Sequence, residues 1–146
     1  MSDIEDIGTA LPLVIKSVFE LDERLKALET DNMQSRCGAA AKANGWHARF
    51  DELEPGTDSY IEHLISKVAL ISSEATEAIE ELRVSGDPYL SYTSNGKPEG
   101  FASELADIII RSYDLAYMLN IPIDDVIANK LEFNKTRGQM HNGKLI

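Results

Sequence analysis

Apolar residues fall at every third or fourth position along most of this chain, whereas the two-residue alternation of a half-buried strand is nearly absent. Helices are what such spacing can bury. Ile4, Ile7, Leu11, Val14, Val18, Leu21, Leu25 and Leu28 form the a/d seam of a heptad repeat. They predict a helix from about residue 10 to 30, with Pro12 in its opening turn after a cap near Thr9. A softer stretch after Asn32 predicts a short helix ending at Asn44-Gly45. Ile61, Leu64, Val68, Ile71, Ala75, Ala78/Ile79 and Leu82 make the core stripe of a long helix, capped by Asp58 or Ser59 and ending near Arg83. Phe101, Leu105, Ile108, Ser112, Leu115 and Leu119 make the stripe of another, which Asn120-Ile121-Pro122 stops. A last helix starts around residues 122 to 124 and runs to about Arg137. Between the two long helices, residues 84–100 are rich in turn formers and predict a loop with a small hairpin around Asn95-Gly96. The expected class is all-α, an antiparallel helical bundle.

A chain of 146 residues sustains one hydrophobic core, since at this size about two-thirds of the unfolded surface is buried. The lone Cys37 offers neither an intrachain disulfide nor a thiolate metal site, so a reducing, cytoplasmic setting is expected. With 25 acids against 14 bases the net charge is −11, and the average field repels long polyanions and anionic membrane surfaces. Nucleic-acid polymers and membranes are therefore not expected partners. Residues 1–7 hold none of the Lys or Arg that opens a signal peptide, and the longest apolar runs fall far short of a membrane span.

Beside the apolar stripe of the first long helix, Leu70, Glu74, Glu77 and Glu81 recur at helical spacing, and the helix after the loop carries Glu104, Asp107, Arg111 and Asp114. Two helices joined by a loop run antiparallel, which can set Glu74 and Glu77 opposite Glu104 and Asp107. Most Glu-x-x-Glu pairs on amphipathic helices are solvated surface. Here, however, Glu74 and Glu77 have no Lys or Arg three or four residues away, while Arg111 is an ordinary one-turn partner for Asp107. Two unit charges about 6 Å apart repel by roughly 3 kcal/mol at an effective dielectric of 20, so such a cluster calls for a cation. Carboxylate oxygens suit a hard divalent ion, Mg²⁺ or Mn²⁺. A di-iron carboxylate bundle would need Glu-x-x-His pairs, and none of His47, His63 or His141 has a Glu three residues before it. On the last helix Lys130, Asn134 and Arg137 share a face and suit phosphate oxygens, although the helix dipole alone would explain Arg137 and Lys135.

Taken together, Glu74-x-x-Glu77, Glu104-x-x-Asp107 and Lys130-x-x-x-Asn134-x-x-Arg137 resemble the MazG-like family of all-α nucleoside triphosphate pyrophosphohydrolases. The segments around them, Gly96-Lys97-Pro98-Glu99-Gly100 and the Arg137, His141 and Lys144 tail, extend the resemblance over roughly residues 45 to 146. It implies a MazG-like catalytic helical domain over 45–146, with 1–44 as an N-terminal helical segment for oligomerisation or packing. It implies Mg²⁺-dependent hydrolysis of an NTP or dNTP to the monophosphate and pyrophosphate, Mn²⁺ being a substitute. In the roles so implied, Glu74, Glu77, Glu104 and Asp107 are metal ligands, Lys130, Asn134 and Arg137 are phosphate contacts, and Glu74 or Glu77 is the general base. A homodimer or homotetramer is implied as well. Ser73 stands where many members carry a further Glu. Trp46, His47, Tyr92 and Lys144 are candidate base or lid contacts, with Phe50 and Tyr89 beside them. Two other readings stay open: a relative acting on dUTP, dCTP or phosphoribosyl-ATP, and a catalytically silent helical interaction protein that works through its heptad seam.

Overall fold

The computed structural model of the chain describes residues 15–22 and 32–136. Residues 15–22 are helical (α1), and every one of them is exposed. The rest of the expected 10–30 helix lies outside the described residues, as do Arg137, His141 and Lys144. Then follow α2 (Met33–Ala43), α3 (Ala48–Asp51), α4 (Asp58–Ser85), β1 (Tyr92–Ser94), β2 (Lys97–Glu99), α5 (Phe101–Met118) and α6 (Ile123–Lys135). The described chain is thus mostly helical, with the two-stranded hairpin as its one sheet. No described helix is long and apolar enough to cross a membrane.

Local chemistry sets the boundaries. The Asn32 side chain accepts from Ser35 N at 2.8 Å and opens α2. Thr57, in extended backbone, accepts from Tyr60 N and caps α4. The cap therefore lies one residue before the expected Asp58 or Ser59, because Asp58 is already helical, and the helix continues past Arg83 to close on Gly86. Asn95 and Gly96, at φ 52° and 84°, close the hairpin with the backbone of a type I′ turn. Its register sets Ser94 opposite Lys97 and Tyr92 opposite Glu99.

At the centre lies α5, with α4 along one side and α2 along another. Gly38 permits the close approach of α2, since a Cβ there would stand 2.0 Å from Tyr117 Cγ. Gln34 then clamps the α5–α6 corner: its Nε2 donates to Ile121 O at 2.7 Å and its Oε1 accepts from Ile123 N at 3.3 Å. The Tyr113 hydroxyl donates to Asp124 Oδ1 at 2.9 Å and ties α6 on at its first turn, although no residue of α6 is buried.

The apolar stripe expected as the core of α4 divides in two. Leu64, Ile71, Ala78 and Leu82 turn inward, whereas Ile61, Val68, Ala75 and Ile79, joined by Ile65, are exposed. Leu105 of α5 is exposed as well. Buried beside Ala78, Ala116 and Met118 are instead three acids, Glu74 on α4 with Glu104 and Asp114 on α5. Glu74 and Glu104 meet between α4 and α5, whereas Asp114 faces His47, and the outer edge of the α4 stripe is left uncovered.

Candidate functional site

Glu74 and Glu77 lie one turn apart on α4, and Glu104 stands in the first turn of α5. Each offers a carboxylate oxygen, and the three oxygens lie within 4.8 Å of one another. Glu104 is the deepest, 1% exposed, and its Oε2 is buried with no hydrogen-bond partner. Burial pushes its carboxyl up to about 7; Lys97 opposes this, while the charges of Glu77 and Asp107 and a hydrogen bond that protonated Glu104 can share with Glu74 push the same way. An unsatisfied buried oxygen costs about 1–3 kcal/mol, so a position like this is one where a proton or a cation is gained.

Two cations reach the acids. Arg111 Nη2 lies 2.7 Å from Glu74 Oε1, a bond between helices that replaces the one-turn Asp107 pairing expected from spacing alone. Lys97 Nζ lies 3.1 Å from Glu99 Oε2 and 3.9 Å from Glu104 Oε1, and these acids together with Asp107 hold its amine protonated above the usual lysine range. Asp107 is half-buried one turn beyond Glu104; its charge acts on Glu104 and Lys97, yet it is not one of the three that close within 4.8 Å. Of the expected phosphate contacts, Lys130 stands 5.5 Å over the Phe133 ring of its own helix and Asn134 is exposed in the last turn of α6. Neither pairs with the acid cluster, and Arg137 and Lys144 lie outside the described residues.

Opposite residues of a two-stranded ladder share a face, so Tyr92, Ser94, Lys97 and Glu99 look to one side. That side meets the acids: the Tyr92 hydroxyl donates to Glu81 Oε1 at 2.9 Å, which raises the phenol's pKa, and Lys97 reaches Glu104. Gly100, at φ 111°, anchors the hairpin where a Cβ would come 2.4 Å from Leu90 O. Ser103 Oγ donates to Pro98 O at 2.9 Å, and Gly100 O accepts from the amides of Ser103 and Glu104. Tyr89, the other aromatic of this segment, is 91% exposed.

A cavity of about 700 Å³ opens between α2, α4 and α5, with Arg36, Asn44, Trp46 and Lys67 in its wall. Asp107 and Arg111 line it too, so it adjoins the acid cluster. Trp46 is 59% exposed, and Lys67 Nζ donates to its carbonyl at 3.5 Å. His47 turns the other way, into the core, where Nε2 lies 2.6 Å from Asp114 Oδ1 and the Tyr117 ring is 6.1 Å distant. Phe50 packs among Tyr60 and His63.

Sequence reasoning missed Lys97 and the His47–Asp114 bond. Lys97 carried one usable signal, its place opposite Ser94 and two residues from Glu99 in a legible hairpin. For Asp114 only its helical spacing from Glu104, Asp107 and Arg111 was visible. No family model, curated protein or solved structure matches the chain.

Proposed function

We propose that the chain is a divalent-metal-dependent nucleoside triphosphate pyrophosphohydrolase of the MazG-like kind, cleaving an NTP or dNTP to the monophosphate and pyrophosphate. The observation that carries this reading is the closure of Glu74, Glu77 and Glu104 within 4.8 Å around a buried Glu104 oxygen that has no partner. Such an all-oxygen donor set fits Mg²⁺ or Mn²⁺. A divalent ion held there supplies neutralising charge for phosphate oxygens and a water of lowered pKa. Glu74, Glu77 and Glu104 are the ligands, with Asp107 as the fourth acid in reach. Arg111 holds Glu74 through the oxygen it binds, which favours Glu77, the exposed member, over Glu74 as the base that accepts the proton of the attacking water. The adjoining cavity has the volume of a small-molecule site, with Trp46 at hand to stack on a base. In this reading a homodimer or homotetramer forms over the exposed stripe of α4, and Lys130, Asn134 and Arg137 reach phosphate from a second copy.

The test is a panel of common NTPs and dNTPs with Mg²⁺ and with chelator, run on wild type and Glu77→Gln. Pyrophosphate release is expected to require the metal and to fall about 100-fold or more in the variant. Release that survives chelator and mutation alike would overturn the reading. The same panel, extended to phosphoribosyl-ATP, separates a general enzyme from one preferring dUTP, dCTP or that nucleotide. The exposed apolar edge of α4 favours one competing reading, a catalytically silent helical interaction protein, which predicts no release from any nucleotide.

A further inference from the structure

Lys97 is the hairpin's one cation, and the β-ladder rather than a helix puts it at the acids. Its amine hydrogen-bonds Glu99 at 3.1 Å and stands 3.9 Å from Glu104, close enough to screen that carboxylate but too far to hydrogen-bond it. About half of the side chain is in solvent, at 52% exposure, while Gly100 and Ser103 hold the backbone beneath it. A lysine is a compact charge on a flexible stem, so this amine can swing by a few ångströms without moving the hairpin.

We propose that Lys97 is a phosphate-binding residue of the acid site, standing in as the counter-ion of Glu104 when metal is absent and turning to the substrate's phosphates when a divalent ion occupies the carboxylates. This rests on the metal-site reading above. Charge supplies the logic. Arg111 alone is one positive charge against Glu74, Glu77, Glu104 and Asp107, so these acids gain from the amine as a second counter-charge. A divalent ion at Glu104 would confront that amine with a like charge about 4 Å away and repel it. Phosphate drawn to an ion held there would offer the displaced amine a charge-assisted hydrogen bond. Lys97 thus adds, from within one chain, a phosphate contact to those proposed for α6 of a second copy.

The experiment titrates Mn²⁺, and then tripolyphosphate in saturating Mn²⁺, into the full chain by calorimetry. Wild type, Glu77→Gln, Lys97→Met and Lys97→Arg are compared, with Lys97→Gln as a polar control for folding. Expected is Mn²⁺ binding by wild type that Glu77→Gln weakens. Lys97→Met and Lys97→Gln should bind Mn²⁺ at least as tightly as wild type, since a competing charge is gone, yet bind tripolyphosphate about tenfold or more weakly. Lys97→Arg should recover most of that loss. No Mn²⁺ binding by wild type would overturn the metal-site reading, and the Lys97 assignment with it. Tripolyphosphate affinity unchanged in Lys97→Met, or Mn²⁺ and tripolyphosphate affinity reduced in equal measure, would overturn the Lys97 assignment alone.

Discussion

Glu104 shows how one residue carries two opposed demands. Its folded carboxyl sits at about 7 rather than the ordinary 4.5, so between those values the folded chain binds a proton that the unfolded chain has lost. The metal-free protein should therefore be most stable, from this group, below about pH 4.5. That contribution, on the order of 3 kcal/mol, should fade as pH rises through about 7. A divalent metal at the proposed site would reverse the slope, because ligation needs the deprotonated form. Thermal melts at pH 6 and pH 8 check both signs: without metal the melting temperature should drop at pH 8 relative to Glu104→Gln, and the rise caused by Mn²⁺ should be larger at pH 8. A second residue-scale prediction concerns His47. Its removal strands Asp114 in the core, so His47→Ala should destabilise the fold by about 3 kcal/mol, read in urea unfolding. Gly38→Ala should cost about 1–3 kcal/mol by forcing Tyr117 out of its place.

Among the elements, those with the plainest local grammar were legible from sequence. The hairpin at Asn95-Gly96 lies where its turn residues put it, and the ends of α4 and α5 fall within about two residues of where caps and periodicity put them. What periodicity left open was which edge of a broad apolar stripe meets the neighbour. On α4 the stripe is wider than one contact line, and local spacing assigns no preference between Ile61, Val68 and Ile79 on one edge and Leu64, Ile71 and Ala78 on the other. The contact that decides it is long-range, α4 on α5. For the site, the carboxylates on two helices could be anticipated because helical spacing is regular. Lys97 and the Arg111–Glu74 bond could not, since each depends on how separate elements dock. The hairpin carries its own prediction: Gly100→Val, which drives a Cβ into Leu90 O, should dislodge the hairpin and weaken tripolyphosphate binding while α4 and α5 keep their helicity by circular dichroism.

For the whole molecule, the unburied apolar surface counts most. Ile15, Val18 and Phe19 of α1 and Ile61, Ile65, Val68 and Ile79 of α4 are all exposed, on a chain whose net charge of −11 would otherwise keep copies apart. A double substitution, Ile65→Glu with Val68→Glu, should lower the mass per particle in sedimentation equilibrium without loss of helicity; an unchanged mass would show that this edge joins no copies. Under the proposed function, the same net charge would give a nucleotide no long-range attraction, and its capture would depend on the acids and cations gathered at α4, α5 and the hairpin.

That gathering has a bearing on which chain lengths such a protein tolerates. Gly100 directly follows β2, and its carbonyl receives the first amides of α5, so hairpin and helix meet at one point. Residues inserted among 87–90 lengthen a surface connection and leave the ladder's phase alone. One residue inserted between Lys97 and Gly100 would invert that phase, turning the lysine to the far side of the ribbon while every helix stayed in place. Variation in this segment should therefore be freest before Leu90, whose carbonyl packs on Gly100, and come only in pairs after Gly96.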